Sequence, residues 1–121
     1  MENLYKKTRG NQGENIATEY IENLGYEIIQ RNFKFGRGGE IDIIAKHKNT
    51  LVFIEVKTRT NHKFGDPIEQ ISLQKRKNWR KAAEGFLYLK NINNQECRFD
   101  AIFIDILSNA APKITHIENA M

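Results

Sequence analysis

The chain has 121 residues, of which 40% are hydrophobic and 28% charged, with a net charge of +4 and a pI near 9.2. This length suits one domain with a real core and is too short for two, and no apolar run approaches the roughly 18 residues that a membrane span needs. Cys97 is the only cysteine, which excludes an internal disulfide. Because the first residues also lack the apolar segment of a secretory signal, we expect a cytoplasmic protein.

The first half of the chain predicts one helix and three strands. Apolar residues at helical spacing place the helix at residues 11–24, and Gly25 suits its C-terminal end. Apolar and β-branched runs predict strands at residues 26–35, 40–46 and 51–58. A turn at Lys48-Asn49 would join the second and third of these as a hairpin.

The second half predicts a helix between strands. Asp66 is a suitable N-cap and Pro67 a suitable first residue for a long helix ending near Lys90. Residues 98–107 are almost continuously apolar, as in a central strand covered on both faces, and residues 113–117 predict a short last strand. The order αβββαββ indicates a single α/β domain with a mixed β-sheet flanked by helices.

Two acids in the predicted hairpin need a compensating partner. With the turn at Lys48-Asn49, the numbers of paired residues add to 97, so Asp42 would lie opposite Glu55 and Glu40 opposite Lys57 on the same face. Opposed Cβ atoms in a sheet are roughly 4.5–5.5 Å apart. Two carboxylates at that distance repel each other unless a cation lies between them, and a hard cation such as Mg²⁺ suits them.

A simpler interpretation is that Glu40 and Lys57 form a surface salt bridge and that both acids are solvated. The neighbouring residues weigh against it, because Ile44 and Phe53 share the face of the acids while the opposite face is also apolar. Burial of the acids is therefore the more natural expectation.

These residues also carry a family resemblance. Asp42 followed across the hairpin by Glu55-Val56-Lys57 resembles the PD-(D/E)XK nuclease motif, with Ile41 in place of the proline. The chain further contains, in order, GNQGENIA, GY, RN, GGEIDIIA, VFIEVKTR, FGDP, Lys75 and RFD. This ordered set resembles the YraN-like family of small bacterial proteins. The resemblance implies a restriction-endonuclease-like αβββαβ core and a relationship to archaeal Holliday junction resolvases.

The resemblance also implies roles for individual residues. Asp42 and Glu55 would bind Mg²⁺ or Mn²⁺, with the backbone carbonyl of Val56 as a third ligand. Lys57 would orient or activate the attacking water and offset charge on the phosphate. Glu14 on the first helix would lie near the metal, although a first-turn acid that interacts with the helix dipole is an equal alternative.

Four basic residues are predicted to contact nucleic acid: Arg9, Arg37, Arg59 and Lys75. Lys75 lies within the core-facing stripe of its helix, so it would reach either the site or, by extending outward, the rim of the protein. Arg37 lies in the glycine-rich turn of residues 36–39, which joins strand to strand and is not a dinucleotide-binding fingerprint.

The remaining polar residues suggest structure more than chemistry. Arg98 and Asp100 share a strand face, which favours a structural ion pair over a catalytic role. His47, His62 and His116 are scattered without the spacing of zinc ligands, so a zinc site is not expected.

The leading function predicted from the sequence is a Mg²⁺- or Mn²⁺-dependent endonuclease that hydrolyses DNA, with branched or otherwise structured DNA as a candidate substrate. The alternatives are a non-catalytic nucleic-acid-binding module and an RNA-processing nuclease. A homodimer would suit symmetric cleavage of a junction, and Phe33 and Phe35 are predicted to be exposed residues that could form its interface.

Overall fold

The computed structural model describes residues 4–60, 71–106 and 110–121, with side chains from residue 12 onward. These residues form two helices and five strands. In chain order they are α1 (Leu4–Asn23), β1 (Glu27–Phe35), β2 (Gly39–His47), β3 (Thr50–Arg59), α2 (Leu73–Leu89), β4 (Cys97–Asp105) and β5 (Lys113–Ile117). Within these ranges neither helix has the length and apolar composition needed to cross a bilayer.

The strands form one mixed sheet in the order β1-β2-β3-β4-β5. All neighbouring strands are antiparallel except β3 and β4, which are parallel and are connected through α2. A parallel pair needs such a crossover because a short turn cannot join it. The predicted α/β class and mixed sheet are confirmed, and the architecture is consistent with a restriction-endonuclease-like αβββαβ core extended by β5 at one edge.

The sheet separates two apolar layers. On one face α1 contributes Ala17 and Ile21, which pack with Ile54 of β3. On the other face α2 contributes Trp79 and Phe86 to a larger aromatic layer. β3 and β4 are buried on both sides, which explains why their sequences are nearly continuous apolar runs.

The alternation of β1 and β2 is broken beside the acids of the hairpin. Asn32 in β1 has a left-handed backbone, with φ of 54°, and lies between the ladder pairs Arg31–Ile43 and Phe33–Ile41. Ile41 and Ile43 would share a face in a regular strand, yet Ile41 packs in the α2 layer and Ile43 in the α1 layer. The strand therefore twists sharply around Asp42.

Two element boundaries differ from the sequence prediction. α1 begins at Leu4 rather than residue 11. The predicted continuous helix from Pro67 is wrong over residues 71 and 72, because α2 begins at Leu73 with Ser72 as its N-cap. The Ser72 side chain accepts a hydrogen bond from the Lys75 N–H at 3.0 Å, which satisfies one of the unpaired donors of the first turn. Asp66 and Pro67 lie outside the described residues.

The prediction that two phenylalanines are exposed is wrong for Phe33 and weakened for Phe35. Phe33 is 8% exposed and packs edge-to-face against Phe86. Phe35 is half-buried against Gly85, where an added Cβ would lie 2.4 Å from the ring. These residues consolidate the α2 layer, and the homodimer stays a prediction.

Candidate active site

Asp42 lies where β2 leaves β3. The predicted register is confirmed from His47–Thr50 to Ile43–Ile54, but the ladder ends there. The prediction that Asp42 sits directly opposite Glu55 as a ladder partner is therefore wrong. Instead, Asp42 Oδ2 accepts a hydrogen bond of 2.7 Å from the backbone N–H of Val56. The Asp42 side chain thus accepts a backbone hydrogen bond from β3 at the point where the β2–β3 pairing ends. This bond holds its carboxylate beside Glu55.

Glu55 is 7% exposed, and its two carboxylate oxygens have different surroundings. Oε1 lies 3.0 Å from Lys75 Nζ of α2. Oε2 is buried and has no hydrogen-bond donor among the described residues. An acceptor left in this state is costly, so this oxygen is available to a cation or a donor that enters the site.

The two carboxyl groups have strongly raised pKa values. Burial raises the pKa of Glu55 from its ordinary 4.5 to about 8, and the charge of Asp42 adds to the effect. Burial likewise raises the pKa of Asp42 from 3.8 to about 6, although the Val56 N–H opposes it. Burial lowers the pKa of Lys75, but the charge of Glu55 outweighs it and the net shift is upward. One lysine does not fully compensate two buried carboxylates.

Glu14 is held near these acids by an unusually close approach of α1 to β3. A Cβ added to Gly13 would lie 1.9 Å from Thr58 Oγ1, so only glycine allows the helix to come this near. Glu14 is 8% exposed, and its Oε1 lies 3.2 Å from Arg31 Nε. The helix-dipole alternative is wrong, because α1 begins ten residues before Glu14, at Leu4. Burial is the main cause of the raised pKa of Asp42, and the negative charge of Glu14 raises that pKa further.

The donor set fits a hard divalent cation held by two carboxylates. Within residues 12–60, 71–106 and 110–121, no three His, Cys, Asp or Glu side chains are grouped closely enough to bind a metal. Glu14 Oε1 pairs with Arg31 in this arrangement, and its role as a metal ligand stays a prediction. Asp42 and Glu55 remain, with an unbonded buried oxygen, and Mg²⁺ is commonly bound by one or two carboxylates together with water and substrate phosphate.

A cavity of about 400 Å³ opens beside Glu55. Lys57 and Lys75 line it together with Ser72 and Phe103. Lys57 is exposed and follows Glu55 by two residues on β3. Of the two positions predicted for Lys75, the site and the rim of the protein, the structure shows the site. The Lys75 side chain is 42% exposed there. The cavity lining thus combines one buried acid, Glu55, with two lysines.

The other predicted nucleic-acid contacts have different outcomes. Arg59 is 8% exposed, and its Nη2 lies 2.8 Å from Asp105 Oδ2 while its guanidinium covers the ring of Phe103. This buried position contradicts its assignment to a nucleic-acid surface. Arg37 is exposed in the turn between β1 and β2. The side chain of Arg9 lies outside the described residues.

The expected ion pair of Arg98 and Asp100 is confirmed. Arg98 bonds both oxygens of the fully buried Asp100 at 2.9 and 3.0 Å, and His116 Nε2 lies 2.8 Å from the same carboxylate. Burial acts to raise the pKa of Asp100, but the bonds from His116 and Arg98 outweigh it, and the pKa is lowered. This network links β4 to β5.

Sequence reasoning missed the partners of three site-region charges: Lys75 for Glu55, Arg31 for Glu14 and Asp105 for Arg59. Helical spacing had placed Lys75 on the inner stripe of α2, but only the packing of α2 on the sheet selects Glu55 as its partner. Arg31 and Asp105 lie 17 and 46 residues from their partners, and nothing in local sequence signals such pairs.

Comparison with known proteins places this fold and site in a family. The model of the uncharacterised protein family UPF0102, the YraN family, matches residues 13–104. A UPF0102 protein of Geobacter sulfurreducens is 46% identical over 96% of this chain and 90% of its own length. UPF0102 proteins of Caldanaerobacter subterraneus and Clostridioides difficile are each 40% identical and are covered over 99% of their lengths.

Proposed function

This chain belongs to the UPF0102 (YraN) family, and we propose that it is a divalent-metal-dependent endonuclease that hydrolyses phosphodiester bonds of DNA in the cytoplasm. One observation carries the proposal. The buried pair Asp42 and Glu55, with an unbonded Glu55 oxygen, lies beside an open cavity that two lysines also line. A buried acidic pair next to two lysines suits a metal and a phosphate.

Asp42 and Glu55 would hold Mg²⁺ or Mn²⁺, and the Val56 carbonyl is the predicted third ligand. When bound, such an ion lowers the pKa of water and stabilises negative charge on a phosphate. The protein holds both carboxylates in position before the ion binds. The Val56 N–H fixes Asp42 through Oδ2, and Lys75 fixes Glu55 through Oε1, which leaves Glu55 Oε2 for the ion.

The two lysines would act on the substrate side of the cavity. Lys57 is exposed and lies two residues beyond Glu55, where its ammonium can orient the attacking water and offset charge on the phosphate. Lys75 is held by Glu55 in the absence of substrate, and it is exposed enough to bond a phosphate oxygen as well. Phosphate chemistry of this kind needs charge and position more than shape.

The decisive experiment is a cleavage assay with end-labelled linear duplex, single-stranded DNA, a DNA junction and RNA, each with Mg²⁺ or Mn²⁺. We expect cleavage of at least one DNA substrate and at least a hundredfold loss in Asp42→Ala and Lys57→Ala, in line with the cost of removing a transition-state contact. Lys48→Ala, at an exposed lysine in the turn between β2 and β3, is the matched control.

Other outcomes identify the alternatives. Absence of cleavage, or cleavage unchanged in both site variants, would overturn the proposal. Salt-dependent binding without cleavage would instead indicate a nucleic-acid-binding module, and cleavage confined to RNA would indicate an RNA-processing nuclease.

A further inference from the structure

The exposed face of α2 carries a row of positive charge. Lys77, Arg80 and Lys81 are exposed and recur at three- and four-residue spacing, so they lie on one side of the helix. The opposite side carries Trp79 and Ala82, which are fully buried. These three basic residues are therefore not needed for the packing of α2 on the sheet.

The turn between β1 and β2 adds a fourth basic residue to this face. A Cβ added to Gly36 would lie 3.7 Å from Lys81 Nζ, and one added to Gly38 would lie 3.2 Å from Asn78 Nδ2. Both glycines have positive φ, and Arg37 between them is exposed. The turn thus lies against α2, and the backbone of Arg37 lies close to Lys81.

Together, Lys77, Arg80, Lys81 and Arg37 form what we call the basic stripe. In the part of the chain that the structure describes, none of the four makes an ion pair with a carboxylate. Like charges at neighbouring helix positions repel each other, and the row ends at the exposed Glu84, one turn further on. Such a concentration of uncompensated charge is the electrostatic footprint of a polyanion site.

The basic stripe lies on the outer side of the helix whose inner side contributes Lys75 to the candidate active site. Lys75, whose ammonium bonds Glu55, lies on the same helix as the stripe. From Lys77 to Lys81 the helix rises about 6 Å at 1.5 Å per residue. One strand of duplex DNA spaces its phosphates about 3.4 Å apart along the axis, so the stripe can follow two or three consecutive phosphates.

We propose that the basic stripe binds the sugar–phosphate backbone of the duplex DNA whose reacting phosphate enters the cavity. This inference rests on the proposed function and names the surface by which the substrate is held. A duplex is favoured over a single strand because single-strand sites rely on exposed aromatic rings. Near the stripe Trp79 is fully buried and Phe35 packs on Gly85, and the exposed Tyr88, two turns beyond Lys81 on α2, is a single ring and not a platform for successive bases. Binding through phosphates alone is tolerant of sequence and sensitive to salt.

The test is fluorescence anisotropy with a short labelled duplex, without divalent metal, over a series of salt concentrations. Lys77→Glu, Arg80→Glu and Lys81→Glu are each expected to weaken binding about tenfold, the order of magnitude expected when one side chain no longer binds a phosphate. Lys48→Glu, which also reverses an exposed lysine, is expected to bind within about twofold of the unchanged protein. Thermal melting of each variant shows that the fold is retained.

A second measurement uses charge removal instead of reversal. The triple variant Lys77→Gln/Arg80→Gln/Lys81→Gln is expected to reduce the slope of log affinity against log salt by about 0.9 for each phosphate that the protein no longer neutralises. Equal affinity of the stripe variants and the unchanged protein would overturn the proposal. Tighter binding of a single strand than of the duplex, or no binding of DNA at all, would overturn it too.

These outcomes separate the stripe from the nuclease proposal. Stripe-dependent binding by a protein that never cleaves would leave the stripe in place and remove the endonuclease. Metal-dependent cleavage by a protein whose DNA affinity does not change in the stripe variants would support the endonuclease and remove the stripe.

Discussion

Lys75 places its ammonium group 3.0 Å from one oxygen of Glu55, while the other oxygen of that carboxylate is buried without a donor among the described residues. The contact joins the first turn of α2 to the middle of the sheet. It provides half of the charge that the buried Asp42 and Glu55 require, and it leaves the other half unmet.

Removal of the Lys75 charge should raise the pKa of Glu55 above its value of about 8, because Lys75 is the main cation that opposes burial and the charge of Asp42. We expect this increase in Lys75→Met, whereas Lys75→Arg should keep the pKa close to the original. Carbon-13 NMR titration of the Glu55 carboxyl in the metal-free protein measures it directly. An unchanged pKa in Lys75→Met would show that the 3.0 Å contact does not persist in solution.

The metal-free protein should lose stability as the pH rises from about 4.5 to about 8. The pKa of Glu55 is higher in the folded protein than its ordinary 4.5, so the folded state binds the proton more tightly and ionisation in this window opposes folding. The free energy of unfolding should fall by an amount on the order of a few kcal/mol, since each pKa unit corresponds to about 1.4 kcal/mol.

The matching variants separate Glu55 from the other carboxylates. Chemical denaturation at a series of pH values should show a flatter profile for Glu55→Gln, which also becomes the more stable protein above about pH 8. Glu84→Gln, at an exposed position of α2, should follow the unchanged protein. Identical profiles for Glu55→Gln and the unchanged protein would contradict the buried, proton-binding carboxyl.

Mg²⁺ or Mn²⁺ should stabilise the folded protein more at pH 8 than at pH 5.5, because a carboxyl must lose its proton before it binds a metal. A ligand at a hundred times its Kd adds about 2.7 kcal/mol to the free energy of unfolding, which a thermal melt detects easily. Asp42→Asn should abolish the effect, and Glu27→Gln, an exposed acid of β1, should preserve it. Equal stabilisation of Asp42→Asn would place the metal elsewhere.

Gly13→Ala should destabilise the protein by about 1–3 kcal/mol, the usual cost of overpacking, since the new Cβ would lie 1.9 Å from Thr58 Oγ1. The clash can be relieved from the other side. Thr58→Ala removes the hydroxyl, so the double variant Gly13→Ala/Thr58→Ala should recover most of the loss. Thr58→Ser keeps the hydroxyl and should not rescue. Denaturant melts measure the unchanged protein, the two single variants and the double variants with Thr58→Ala and Thr58→Ser, and additive effects of Gly13→Ala and Thr58→Ala would contradict the close packing.

Most of the fold follows from local patterns in the sequence. The five strands and the register around Lys48-Asn49 were predictable because alternation, turn residues and apolar runs are short-range signals. The left-handed backbone of Asn32 and the early end of the β2–β3 ladder were not, although they decide how Asp42 faces Val56.

The charged residues were harder to place than the strands. Asp42 and Glu55 stood out because acids in apolar runs are rare. Arg59 looked like a surface cation in a polar loop, yet the parallel pairing of β3 with β4 sets it beside Asp105. The pairing partner of a charge depends on strand order, and a single sequence contains no local signal for it.

The ion pair of Arg59 and Asp105 gives a direct test of that correction. Because Arg59 is buried, Arg59→Met should leave Asp105 without its guanidinium and cost about 3–5 kcal/mol of stability, as for other broken buried pairs. The affinity of the folded fraction for DNA should not change. Arg59→Met/Asp105→Leu should regain much of the stability, since an apolar pair needs no compensation there. Denaturation and anisotropy measured on the same samples make the comparison, with Lys81→Glu as the contrast that loses affinity and keeps stability. Weaker DNA binding by Arg59→Met under conditions where it is fully folded would restore Arg59 to the nucleic-acid surface.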